Sequence, residues 1–208
     1  MDVIIVSKTH MSSMACVGGV LADGRLVRLL DENGRNQPGD TKLNVGDVYK
    51  IIFKERGGKK PPHVEDILVL EMTFKFSFDP IDKMVSHLQE KIKVKIWKGS
   101  PEILFDGKLQ WTTSGSGYIS ETGEIPSNSV GFWMPDKDLT RNDFGEKIRY
   151  NYQQIQENSR KIPFVGYQTP VDTIQAGTFL RVSLARWWKR KDDEERCYLQ
   201  LSGWYRLP

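Results

Sequence analysis

Cysteine and histidine are scarce in this chain: two and three in 208 residues. Cys16 and Cys197 form no C-x-x-C pair and lie beside no histidine at metal-ligand spacing. The sequence therefore predicts neither a disulfide framework nor a metal, and it calls for no cofactor. Long apolar runs are also missing. No stretch approaches the roughly 18 consecutive apolar residues of a membrane span. The opening "MDVIIVSKTH" has an apolar run of only four residues behind an acid, too short for a signal-peptide core, so the expectation is a cytoplasmic protein with no membrane partner. A strong charge of one sign is lacking as well, with 30 Lys and Arg against 27 Asp and Glu. The net charge of +3 falls short of the excess on a protein that coats DNA, although a local basic face can still form. No GxxxxGK[ST] phosphate loop and no GxSxG nucleophile elbow occurs. What remains, 38% hydrophobic and 27% charged residues, describes a soluble globular chain.

Strand patterns dominate that chain. "DVIIVSK" (2–8), "ACVGGVL" (15–21), "RLVRLL" (25–30), "GDVYKIIFK" (46–54) and "VEDILVLEMTFKF" (64–76) are short runs rich in β-branched residues or leucine. Asp23-Gly24 marks a tight hairpin, and glycine- and proline-rich loops separate the later runs. Five strands in so short a stretch suit a small closed barrel, because closure removes exposed edges. The segment 79–92 breaks the pattern, with Asp79 as N-cap, Pro80 at the first helical position and apolar residues at 81, 84, 85, 88 and 92. Lys91, Lys93, Lys95 and Lys98 follow it, as on a solvated edge strand. Strand patterns then resume at 102–113, 129–135, 147–155, 178–188 and 197–205, with a short helix expected within 136–160. The prediction is a mainly β protein of two OB-like barrels in tandem: 1–78, a linking helix 79–95, and 96–208 with an irregular insertion at 135–176.

Three groups of residues could carry chemistry. "PPHVED" brings together His63, Glu65 and Asp66, which could move protons or hold a metal, or form a hydrogen-bonded turn into the next strand. "TFLRVSLARWWKR" (178–190) and "CYLQLSGWY" (197–205) form a second group. If they pair, alternation gathers Arg181, Trp187, Tyr198, Gln200 and Trp204 on one polar-aromatic face, with Arg186 near a strand end or bulge. Such a face suits nucleobases, because rings stack on aromatic side chains and arginine neutralises phosphate. The opposing reading has the tryptophans capping the core and the arginines solvated or paired with "DDEE" (192–195). A third group is basic: Arg25, Arg28 and Arg35, and the loop residues Lys54, Arg56, Lys59 and Lys60.

These segments also carry a family likeness. The strand 2–8, Cys16-Val17-Gly18-Gly19, "GRLVRLL" (24–30), "GDV" (46–48), "PHVED" (62–66), "RVSLARWW" (181–188) and "CYLQLSGWY" together resemble the bacterial dual OB-containing domain proteins over nearly the whole chain. The resemblance implies two OB barrels in one polypeptide and, by analogy with other OB-folds, nucleic-acid binding in a DNA-processing or phage-defence setting.

The sequence reading is therefore a non-enzymatic module that binds single-stranded DNA or RNA, or a flipped base. Trp187, Tyr198 and Trp204 would stack, and Arg25, Arg28, Arg181 and Arg186 would contact phosphate. Two alternatives stand beside it. One is an enzyme on nucleic acid or a nucleotide using His63, Glu65 and Asp66. The other is a domain for a nucleotide-like ligand or for a protein partner in a multi-gene system.

Overall fold

A computed structural model describes residues 1–143, 147–153, 159–189 and 193–205. The chain divides into two compact units, one built from Met1–Lys60, Val64–Lys95 and Tyr205, the other from Pro61–His63 and Ile96–Trp204.

The first unit contains β1 (Asp2–Met11), β2 (Met14–Leu21), β3 (Leu26–Leu30), β4 (Gln37–Pro38), β5 (Asp47–Glu55) and β6 (Asp66–Ser77). They are ordered β1-β5-β6-β3-β2, and a β1–β2 pairing closes the ring into a five-strand barrel, with β4 added to β2. β3 and β6 run parallel, whereas β1–β2 and β5–β6 are antiparallel. The period-two pattern sends Val3, Ile5, Ala15, Val17, Val27, Leu29, Ile51 and Ile67 into one core. Each such side chain stabilises the fold by about 1.5–3 kcal/mol when fully withdrawn from water. Gly19 lets β1 and β2 approach, because a Cβ there would lie 2.5 Å from Val3 Cγ2. The Asp23-Gly24 turn forms as the sequence implies, with Gly24 at φ +86°.

The expected helix is present but changes character. α1 (Ile81–Ser86) starts after Pro80, without a side-chain cap from Asp79. It continues as a π-helical turn at His87–Ile92, which ends at left-handed Lys93. Met84, Val85 and Leu88 are buried, and the whole segment groups with the first unit.

The second unit contains β7 (Ile96–Lys98), β8 (Gln110–Trp111), β9 (Gly117–Ser120), β10 (Val130–Met134), β11 (Leu139–Arg141), β12 (Arg149–Tyr152), β13 (Arg160–Pro163), β14 (Thr173–Ile174), β15 (Phe179–Leu184), β16 (Trp188–Lys189) and β17 (Glu195–Tyr205), whose last residue belongs to the first unit. A curled half-barrel sheet runs β7-β10-β15-β17-β9-β8, with β16 on β17, and a smaller sheet runs β13-β12-β11-β14. Residues of both sheets share one core, including Ile119, Trp133, Tyr150, Tyr152, Ile162, Val182, Leu184, Cys197 and Leu199. The architecture is mainly β, as the sequence predicts.

Three local expectations change. The strand expected over 102–113 is mostly 3-10 turns at Pro101–Gly107, interrupted where Phe105 and Asp106 adopt positive φ, and only Gln110–Trp111 is strand. Within 136–160 the described residues form β11 and β12 rather than a helix; residues 144–146 and 154–158 lie outside the described set. The run 178–188 is not one strand, because β15 stops at Leu184 and the chain re-enters a ladder at Trp188. Residues 190–192 of the charged stretch that follows also lie outside the described set.

Candidate nucleic-acid interface

In the second unit, β9 and β17 pair with Tyr118 opposite Tyr198, Ile119 opposite Cys197 and Ser120 opposite Arg196. β8 sets Gln110 opposite Tyr118, and β16 sets Trp188 opposite Arg196. Ile119, Cys197 and Leu199 point into the core. Alternation then turns Gln110, Tyr118, Arg196, Tyr198 and Gln200 to the other face of the sheet. Trp188 is 55% exposed. Its ring centroid lies 6.4 Å from that of Tyr198, which lies 5.9 Å from that of Tyr118. The guanidinium of Arg196 sits 4.5 Å from the Tyr118 ring centroid. The result is a row of three rings with a cation over one end.

Arg196 is held rather than loose. Its Nε donates to Glu194 Oε1 at 3.0 Å, and its Nη2 lies 3.3 Å from Asp193 Oδ1. Its pKa is raised by hydrogen bonding with Tyr198 and then with Glu194, despite opposing desolvation. The Glu194 carboxylate also accepts from the hydroxyls of Ser120 and Thr122, and these bonds, joined by Arg196, hold it below the usual range. The cation is thus largely balanced by its neighbours, so the row offers stacking surface more than free positive charge.

The family model of the dual OB-containing domain matches residues 1–204. The chain belongs to this family. Two solved structures align with this dual OB chain. The crystal structure of the p204 HINb domain aligns at 11% identity and TM-score 0.34, covering 97% of this chain and 95% of that one. The crystal structure of the tetrameric p202 HIN2 aligns at 12% identity and TM-score 0.29, covering 97% of this chain and 91% of that one. No curated protein matches it.

The remaining predicted residues of this dual OB protein fall in several places. Arg25 and Arg28 are in the first unit; Arg181, Arg186, Trp187, Tyr198 and Trp204 are in the second. Arg25 is exposed, 2.6 Å from Glu55 and 5.4 Å from the Phe53 ring centroid. Arg28 is buried and bonds Asp66 at 3.0 Å, while Arg56 takes the other oxygen of the same carboxylate at 2.8 Å. Glu65 is buried too, with its backbone carbonyl accepting from Arg28 N. His63 groups with the second unit, where its Nε2 lies 3.5 Å from the Cys197 thiol. Arg181 is only 1% exposed and lies 4.8 Å from the Phe132 ring centroid, beyond the reach of a phosphate in solvent. Arg186 is half-buried. Trp187 packs on the core and donates through Nε1 to the Pro61 carbonyl at 2.8 Å. Trp204 packs on the same core, with ring centroids of Phe164 and Tyr150 at 4.9 and 5.8 Å.

Of the stacking residues named from sequence, Tyr198 alone lies in the ring row. Tyr118, Trp188 and Arg196 were missed. The break at 185–187 reverses the parity on which Trp187 was preferred over Trp188. Tyr118 lies in a four-residue strand that carries no strong pattern in sequence. Among the described residues no group of three His, Cys, Asp or Glu side chains could hold a metal ion, and no helix is long and apolar enough to cross a membrane.

Proposed function

We propose that this protein is a non-enzymatic module that binds single-stranded nucleic acid on the Tyr118–Tyr198–Trp188 row. The observation that carries this reading is the ring spacing. Centroids 5.9 and 6.4 Å apart stand at nearly twice the rise of about 3.4 Å between stacked bases of a duplex. Bases of an extended single strand can be splayed onto such rings, whereas a duplex keeps its bases inside. Base–aromatic stacking contributes about 1–3 kcal/mol per base and tolerates any sequence. Exposed Lys54, near the end of β5, and Lys60, in the β5–β6 connection, put basic side chains on the first barrel at a position OB-folds use for oligonucleotides. The enzymatic alternative has less support, because Asp66 is already held by two arginines.

The test is fluorescence anisotropy of a labelled eight-nucleotide single strand across a salt series. Binding at low salt is expected, with a modest log–log slope of roughly −1 to −2, since single strands lose about 0.7 per phosphate contacted and Arg196 is pre-paired. Trp188→Ala should weaken binding about tenfold or more, a loss of about 1.4 kcal/mol, while leaving the melting temperature in place. If no single strand binds at low salt, or if Trp188→Ala and Tyr198→Ala both bind like the wild type, the reading is wrong.

A further inference from the structure

Two glutamines flank the ring row. Gln110 is exposed and lies directly across the ladder from Tyr118. Gln200 follows Tyr198 by two residues on β17, so alternation puts it on the same sheet face. Their side-chain amides have no hydrogen-bond partner among the described residues. The Gln110 amide has room because position 123 lacks a side chain: a Cβ there would lie 2.8 Å from Gln110 Nε2.

Resting on the single-strand reading above, we propose that Gln110 and Gln200 make this row select adenine. An amide presents one acceptor and one donor side by side. Adenine presents the complement, an N6 amino donor beside the N7 acceptor, and glutamine meets that edge with two hydrogen bonds. Guanine offers two acceptors on the same edge, and pyrimidines have no N7. A base stacked on the row would turn its edge along the sheet face that carries the two amides. The rings would supply sequence-tolerant affinity and the amides the preference. Purines also stack over a larger area than pyrimidines, so the amide contribution has to be separated from ring size.

The experiment uses the full chain with eight-nucleotide strands of dA, dC and dT, with AMP as competitor, and with the variants Gln110→Leu, Gln200→Leu and their combination. Leucine keeps approximate size without the amide. The wild type should bind the dA strand about tenfold more tightly than the dT strand. The double variant should lose most of that preference while still binding dT as before, and its melting temperature should be unchanged. Displacement by AMP would identify a free adenine nucleotide as a sufficient ligand and would support the same edge recognition. Equal wild-type affinity for dA and dT, or a dA preference that survives in the double variant, would overturn the inference while leaving single-strand binding intact. Failure of all three strands and of AMP would instead remove the reading on which it rests.

Discussion

Replacing Asp66 by asparagine should destabilise the first barrel by about 3 kcal/mol. The Asp66 side chain is 3% exposed, with Arg28 on Oδ1 at 3.0 Å and Arg56 on Oδ2 at 2.8 Å. Asparagine keeps the shape and removes the charge, leaving the Arg28 guanidinium inside the barrel wall. Burial works to lower the Arg28 pKa, but Cys16, Asp66 and Glu65 together outweigh it and raise the value. Removing one partner of a buried ion pair costs about 3–5 kcal/mol, and the remaining Glu65 places the expectation at the lower end. The control is Arg56→Ala. The Arg56 side chain is 41% exposed, so water replaces much of what it contributes and its loss should cost about 0.5–1 kcal/mol. Urea unfolding followed by circular dichroism measures both, because urea adds no salt to screen the charges. The two units can unfold in separate steps, so the comparison is made on the transition that Asp66→Asn shifts. A loss below about 1 kcal/mol for Asp66→Asn, or an equal loss for Arg56→Ala, would refute the account of Asp66 as the counter-charge that makes Arg28 tolerable.

Two further outcomes follow from the second unit. Gly131→Ala should cost about 1–3 kcal/mol by overpacking, because the new Cβ would fall 2.0 Å from Trp97 Cζ3; thermal unfolding checks it, and an unchanged melting temperature would show that the indole can move aside. Glu194 has a depressed folded-state pKa, so its bonds to Ser120, Thr122 and Arg196 add stability above the unfolded value of about 4.3, and this is lost as pH falls through the folded value. Glu194→Gln should therefore be the less stable protein at neutral pH, with the gap narrowing in acid. A gap that is constant across that window would mean that the carboxylate charge contributes nothing.

The barrel of the first unit was legible because its signals are local. β1, β2, β3, β5 and β6 each carry an apolar alternation or run, and Asp23-Gly24 fixes one hairpin. The candidate site was less legible because it depends on register. Trp187 and Trp188 are adjacent in sequence, and the pairing of Trp188 with Arg196 decides which of them accompanies Tyr198. Nothing local marks that ladder. Arg181 shows the same limit from another side, since its strand position gives no hint that Phe132, stacked 4.7 Å from Phe179, would lie under its guanidinium. His63 and Cys197 are 134 positions apart, and no spacing rule joins an imidazole and a thiol over such a distance.

The way the chain is shared between the two units has a consequence for inheritance. Pro61–His63 lies between strands of the first barrel yet belongs to the second unit, while Tyr205, at the end of β17, belongs to the first. Its hydroxyl donates to the carbonyl of Val6, in β1 where the register shifts between Ile5 and Ser7. A recombination event at residue 95, the most natural seam in the gene, would therefore deliver neither half intact: one would lack its closing tyrosine and the other a borrowed tripeptide. Such a gene is expected to pass between genomes whole and to resist the shuffling of halves that simpler tandem repeats permit.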